Sequence, residues 1–345
     1  MKHIMILVGL LLCPIVQAKD RPELVFLTWE DYLDQSVVEA FEHQENCKLR
    51  FVYFDDDDER NMILANTQAT GFDLVTVDHT IINTYRGHDW LLPMTYQQVP
   101  NARHARDPWQ SAAVAEPFYA VSYLWGGVGI VYRKDLMQSP PQHWRDLYQP
   151  EPYLRNHLLL LNTVQTTYGL ALMSLGYPFN SNDPEQIRQA TNTLVKVRPY
   201  VQEFRNIRLG EDSELLKGSI YAAVTYNGDA MMLMEHSDQL AFVYPSEGVP
   251  LWLDLIAVLK SSRQPELAMK FLNFINRPEM AARNSLALKY ATTNIEALAL
   301  LPEDFRNDTR IFPDRSTMSN NQLYEQLPTA HLRKITAQLV QIMAQ

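Results

Sequence analysis

The sequence predicts an α/β fold in two lobes, and three observations carry that prediction. Short apolar runs alternate with helical patterns over the first third, which implies βαβ units and a largely parallel sheet. The alternation resumes near residue 129 with no linker-like or low-complexity boundary before it, so strands are expected to cross between lobes. A length of 345 residues accommodates two domains, and 46% apolar residues supply a full core and exclude disorder.

The elements follow in order. Glu23 to Trp29 reads as a strand, Asp34 to Glu45 as a helix, Lys48 to Phe54 as a strand and Asp58 to Gln68 as a helix. Asp73 to Val77 is a short buried strand, and Thr80 to Arg86 is helical. Pro93 to Pro117 is weakly patterned. Gly126 to Tyr132 and His157 to Asn162 are strands, with a helix from there to Leu175. Asp183-Pro184 starts a helix to about Val197, with an N-cap acid followed by proline at the first helical position. Ser219 to Tyr226 is a strand, followed by Asn227-Gly228-Asp229 and a Met-rich helix to about His236. Leu240 to Tyr244 and Trp252 to Leu259 are strands, Pro265 to Ile275 is an amphipathic helix, and a helix from about Ala330 closes the chain.

The N-terminus carries Lys2, an apolar run from Ile4 to Leu12, and Val16-Gln17-Ala18. That pattern is a secretory signal peptide with cleavage after Ala18. The run is too short to span a bilayer comfortably, and Leu12 is not the small residue that precedes a lipid-bearing cysteine. Without residues 1–18 the 30 basic residues lose Lys2, leaving 29 against 40 acidic and a net of −11. Such a chain repels nucleic acid and mildly attracts cations. Cys47 is then the single cysteine, which excludes an internal disulfide. No apolar run of membrane-spanning length remains.

The usual catalytic signatures are missing: no Gly-x-Ser-x-Gly elbow, no P-loop, no His-Glu-x-x-His. Gly126-Gly127-Val128-Gly129 is too short for a dinucleotide loop and reads as a close-packing device. The nine histidines show no metal-ligand spacing. Asp55-Asp56-Asp57-Asp58 lacks the glycine and spaced acids of a calcium loop, and reads as a solvated loop capping the next helix. Neither a cofactor nor a metal is expected.

Two segments more than 200 residues apart repeat one chemical idea. Trp29-Glu30-Asp31-Tyr32 and Trp252-Leu253-Asp254 each set a large aromatic beside a carboxylate at a strand. Aromatic faces attract cations at roughly 0.5–2 kcal/mol per contact, and carboxylates bind ammonium groups through charge-assisted hydrogen bonds. Asp78 and Asp229 occupy comparable strand-to-helix junctions. Singly, such a tryptophan is core and such an acid caps a helix. Four together imply a cationic partner from outside the chain, because a buried unpaired carboxylate is costly.

These residues resemble the periplasmic spermidine/putrescine-binding proteins. The resemblance covers nearly the whole chain after residue 18. It runs through Trp29-x-Asp31-Tyr32, Thr70-Gly71-Phe72-Asp73-Leu74-Val75, Tyr123-x-Trp125-Gly126-x-x-Gly129 and Leu175-Gly176-Tyr177. It continues in Tyr226-Asn227-Gly228-Asp229, Trp252-x-Asp254, Phe271-Leu272-Asn273-Phe274, Arg277-Pro278-Glu279 and Lys289-Tyr290-Ala291-Thr292-Thr293-Asn294.

The resemblance implies a periplasmic binding protein fold, two α/β lobes with a hinge and an interlobe ligand cleft. Residues 19–128 plus 254–298 would form lobe 1, and 129–253 plus 299–345 lobe 2. Trp29, Tyr32, Tyr226, Trp252 and Tyr290 would line the polyamine methylenes, with Tyr226 where the family usually has Trp. Asp254 would hold an amine near mid-ligand. Asp31 and Asp229 match acids of the putrescine-preferring branch, Asp78 stands where relatives carry Ser, and Tyr324 falls near a C-terminal polar contact. Thr163 and Thr166 replace the family's terminal-amine acids. More of the charge recognition then falls on Asp31, Asp78, Asp229 and Asp254.

The implied role is a monomeric periplasmic receptor without catalysis. It would capture putrescine, spermidine or norspermidine by lobe closure and deliver it to the permease complex of an ABC-type importer. The alternative partner is a membrane sensor protein, as in the norspermidine-sensing branch. A carboxylate-based hydrolase is the remote alternative. An amino-acid receptor would need an arginine in the pocket, and none accompanies the matched positions.

Overall fold

The structure, a computed structural model, describes residues 21–106, 115–313 and 322–344. The expected signal peptide over residues 1–18, with its cleavage site, lies outside them. Eleven strands are described, in chain order β1 (Glu23–Thr28), β2 (Lys48–Tyr53), β3 (Leu74–Asp78), β4 (Val121–Arg133), β5 (Leu158–Leu160), β6 (Val201–Phe204), β7 (Ala222–Tyr226), β8 (Leu240–Val243), β9 (Pro250–Val258), β10 (Ala291–Thr292) and β11 (Gln322–Leu323).

The main path runs β2-β1-β3-β9-β4-β7-β5-β6, with β8 and β10 paired to β4 and β11 to β9. The outer pairs, β1 with β2 and β3 and β5 with β6 and β7, are parallel, as the alternating pattern predicts. The centre differs: β3–β9, β4–β9 and β4–β7 are antiparallel, so the sheet is mixed. Local patterning carries no information about strands that pair across separations of 90 to 184 residues.

β4 is the spine. Its 13 residues begin at Val121, five residues before the expected start. Its first half pairs with β9 and its second half with β7, so one strand serves both ends of the sheet. Small residues at its middle permit this. A Cβ on Gly126 would lie 2.3 Å from the Asn227 Oδ1 and 2.7 Å from the Trp252 ring.

The helices begin where the acids predict. Asp34 accepts from Ser36 N at 2.7 Å, and Asp56 accepts from Glu59 N at 2.8 Å. Asp183 caps Pro184–Val197 by accepting from Glu185 N and Gln186 N. A helix at Pro278–Leu288 and strand β6 escape the sequence pattern.

Buried side chains form two principal groups. One holds Leu24, Phe26, Phe41, Leu74, Leu124, Ile256 and Phe271, and the other Val128, Ile130, Trp144, Leu158, Leu160, Tyr168 and Leu194. Tyr226 and Trp252 are partly buried and pack against both groups. They mark where the two halves meet.

Candidate functional site

Asp254 and Trp252 lie two residues apart on β9 and therefore project from one face of the sheet. Asp254 Oδ2 accepts the Tyr32 hydroxyl at 2.7 Å. Tyr32 is fixed in turn, since its carbonyl accepts the Tyr123 hydroxyl at 3.1 Å and the two rings meet edge to face at 5.6 Å. Burial pushes the Asp254 carboxyl up to about 8; the Tyr32 hydrogen bond opposes the shift, and Asp57 and Asp78 add to it. Burial thus favours the protonated form of this carboxyl.

A second acid repeats the arrangement. Asp229 lies in the first turn of the helix Asn227–Met234 and accepts the Tyr290 hydroxyl at 2.5 Å. Burial pushes it up to about 6, against the Tyr290 hydrogen bond. Tyr290 follows Lys289, whose φ of 57° turns the chain out of the helix Pro278–Leu288. Gly228 makes room for the ring, because a Cβ there would lie 2.4 Å from it.

Rings join the two acids. Trp252 meets Tyr290 at 5.0 Å and Tyr226 at 6.1 Å, both nearly perpendicular, and Tyr290 meets Tyr32 at 6.4 Å. The Trp252 indole Nε1 is buried without a hydrogen-bond partner among the described residues. An aromatic wall with one high-pKa carboxyl toward each end suits a molecule with cationic ends and an apolar middle.

Asp78 stands differently from the sequence expectation that it is a free charge partner. It is the register partner of Asp254 across β3–β9, but its Oδ2 accepts from Arg60 Nη2 at 3.0 Å. Its other oxygen accepts the Thr80 N–H at 2.9 Å and the Thr80 hydroxyl. Burial alone would raise it; Arg60 and Thr80 hold it below the usual carboxylate range.

Arg60 is the residue that sequence reading missed. It is 1% exposed and sits in the helix Asp57–Thr67. Nη1 donates to Asp57 at 2.6 Å, Nε to the Tyr85 hydroxyl at 3.2 Å, and the guanidinium lies 5.7 Å from the Phe54 ring centre. The aspartate run does cap its helix through Asp56, as expected, but Asp57 serves Arg60. A cation three residues after an acid was the available signal; its reach to Asp78 was not readable.

The remaining candidates divide. Tyr324 donates to or accepts from Thr166 at 2.8 Å, and its carbonyl contacts His79 Nε2 at 2.9 Å, which brings the C-terminal segment against the residue after Asp78. Thr166 is fully buried, and Thr163 is the N-cap of Val164–Ser174. Trp29 packs on Phe54 at 4.4 Å. Asp31 is exposed with φ 52° and makes no hydrogen bond or ion pair among the described residues, so the structure does not draw it into the cluster. The described residues contain no metal-ligating group of three or more, and no helix long and apolar enough to cross a membrane.

Comparison with known proteins gives the family. The family described as bacterial extracellular solute-binding protein matches residues 36–313. A spermidine/putrescine-binding periplasmic protein of Salmonella typhimurium is 27% identical over 88% of this chain and 87% of its own. A norspermidine sensor of Vibrio cholerae is 28% identical over 90% and 86%. A solved structure described as a putative spermidine/putrescine ABC transporter from Listeria monocytogenes superposes with a TM-score of 0.82 at 27% identity, covering 93% of this chain and 98% of that one. The two-lobed fold anticipated from the sequence is thus the fold of its structural relatives, and the chain belongs to the bacterial extracellular solute-binding protein family.

Proposed function

We propose that this chain is a periplasmic receptor for a di- or triamine, which it captures by lobe closure and delivers to an inner-membrane ABC importer. The observation that carries the reading is the pair Asp254 and Asp229, two part-buried carboxyls without a cationic partner among the described residues, joined by Tyr32, Tyr290 and Trp252. An ammonium at each end would supply the missing charge, and the methylenes would lie on the rings. Closure excludes water and strengthens both ion pairs. The lobes are those bounded at residues 128/129, 253/254 and 298/299. Trp29 and Asp31 stand at the periphery, and Thr163 and Thr166 add neutral polar contacts beside Tyr226 and Tyr324.

An anionic or zwitterionic ligand fits less well. Arg60 brings a guanidinium to the site, but its donors already serve Asp57, Asp78 and Tyr85. No catalytic step belongs to this reading. The norspermidine sensor among the relatives supports a second outlet, presentation of the loaded lobes to a membrane signalling protein. Loss of labelled-amine uptake on gene deletion marks the importer role, and unchanged uptake with altered signalling marks the sensor.

A thermal-shift screen tests the ligand class, because a specific ligand stabilises the folded state by mass action. Putrescine, norspermidine, spermidine or spermine is expected to raise the melting temperature, whereas sugars and amino acids leave it unchanged. A shift with an amino acid alone would replace the reading.

A further inference from the structure

We propose that Arg60 is a resident cation of the cleft, occupying two of its four clustered carboxylates and so matching the site to a ligand held at two ammonium groups. The inference rests on the amine-receptor reading and adds to it a limit on ligand charge.

Asp57, Asp78, Asp229 and Asp254 are the four acids. The guanidinium takes the first two, at 2.6 and 3.0 Å. It is built in rather than adventitious. Its exposure is 1%, Tyr85 accepts its Nε–H, and the Phe54 and Tyr85 ring centres lie 5.7 and 6.0 Å from the guanidinium. A fixed fork of donors with this many partners does not leave to make room for a ligand. The pair also borders the open acids directly, because Asp78 and Asp254 are opposite one another across β3 and β9. Directly opposed side chains of an antiparallel pair stand about 5 Å apart at Cβ. Arg60 therefore answers the charge of Asp78 where a third ammonium would otherwise bind. On the other wall, Tyr324 and Thr166 satisfy one another and offer no charge. Among these four acids a third ammonium finds no free carboxylate.

Calorimetric titration of the wild type with putrescine, spermidine, spermine and the two monoacetylspermidines tests this. At least one acetylated isomer, which keeps two charges, is expected to bind within about threefold of spermidine. Arg60→Met, which frees Asp57 and Asp78, should raise affinity for spermidine or spermine relative to putrescine at least tenfold. Arg60→Gln, which keeps one donor for a carboxylate, should shift the ratio the same way, and it replaces Arg60→Met if that variant does not fold. An unchanged ratio in a folded variant, or both acetylated isomers binding more than tenfold weaker than spermidine, overturns the proposal. Absence of binding by every amine to the wild type instead overturns the amine-receptor reading itself.

Discussion

Asp78 and Asp254 are register partners across β3 and β9, and among the described residues a guanidinium bonds to the first and not the second. The consequence is two adjacent carboxyls with opposite behaviour. Arg60 holds Asp78 ionised, whereas burial pushes Asp254 up to about 8. On the proposed reading, the asymmetry makes Asp254 the side that waits for a cation.

Binding should release protons. Asp254 at about 8 and Asp229 at about 6 are both raised in the free protein. A ligand cation favours the ionised form and lowers both values. Near pH 7 mainly Asp254 gives up its proton on binding, and affinity rises from pH 6 to 8 before levelling above about 8. The slope approaches tenfold per pH unit for one linked proton. Calorimetry in buffers of different ionisation enthalpy counts the protons. A pH-independent affinity with no proton release would show that neither acid meets a cation.

Asp254→Asn should separate stability from binding. A carboxyl whose folded pKa lies above its unfolded value costs stability as pH rises between the two, here from about 4 to about 8. The neutral variant should therefore melt higher than wild type at pH 8, with little difference at pH 4. It should bind amines about 100-fold or more weakly, since truncating one partner of a buried ion pair costs about 2–5 kcal/mol. Melting curves at the two pH values and one titration check both halves.

How much of this was legible follows from the reach of each signal. Trp252-Leu253-Asp254 and Trp29-Glu30-Asp31-Tyr32 stood out because an aromatic beside an acid is a local pattern; the structure joins Asp254 to Tyr32 and leaves Asp31 exposed, while Asp229, read as an acid at a strand-to-helix junction, is joined to Tyr290. The flanking strands and capped helices were legible for the same reason, as with Asp183-Pro184. β6 and the early half of β4 were not, because they are built by pairing with distant segments. Asp78 read as a free acid since its counter-ion lies 18 residues away on another element. Arg60 itself was hidden inside an aspartate-rich helix start, where a surface role is the ordinary expectation.

Gly228→Ala tests the support behind Asp229. The added methyl would meet the Tyr290 ring at 2.4 Å, and the ring must move off Asp229. Affinity should fall at least tenfold, with a stability loss of about 1–3 kcal/mol from overpacking. Tyr290→Phe keeps the ring and removes the hydroxyl, and should weaken binding less than Gly228→Ala. Equal binding by wild type and Gly228→Ala would place Tyr290 outside the site.

Asp73 is expected to matter for folding alone. It is 5% exposed and accepts from Val25 N at 2.8 Å, Ser262 Oγ at 2.5 Å and Arg263 N at 3.1 Å, tying β1 to the turn after β9. Asp73→Ala orphans these donors and should cost about 3 kcal/mol or more, read by denaturant unfolding. Amine affinity of the folded fraction should stay within about threefold of wild type.

On the proposed reading, Asp254 and Asp229 hold the two ends of an amine. Calorimetric titration of wild type and of the double variant Asp229→Asn/Asp254→Asn with putrescine, norspermidine, spermidine and spermine tests it most directly. At least one amine is expected to bind the wild type at micromolar or tighter levels, and none measurably to the folded double variant. Undiminished binding by the double variant, or no binding of any amine to the wild type, would contradict it.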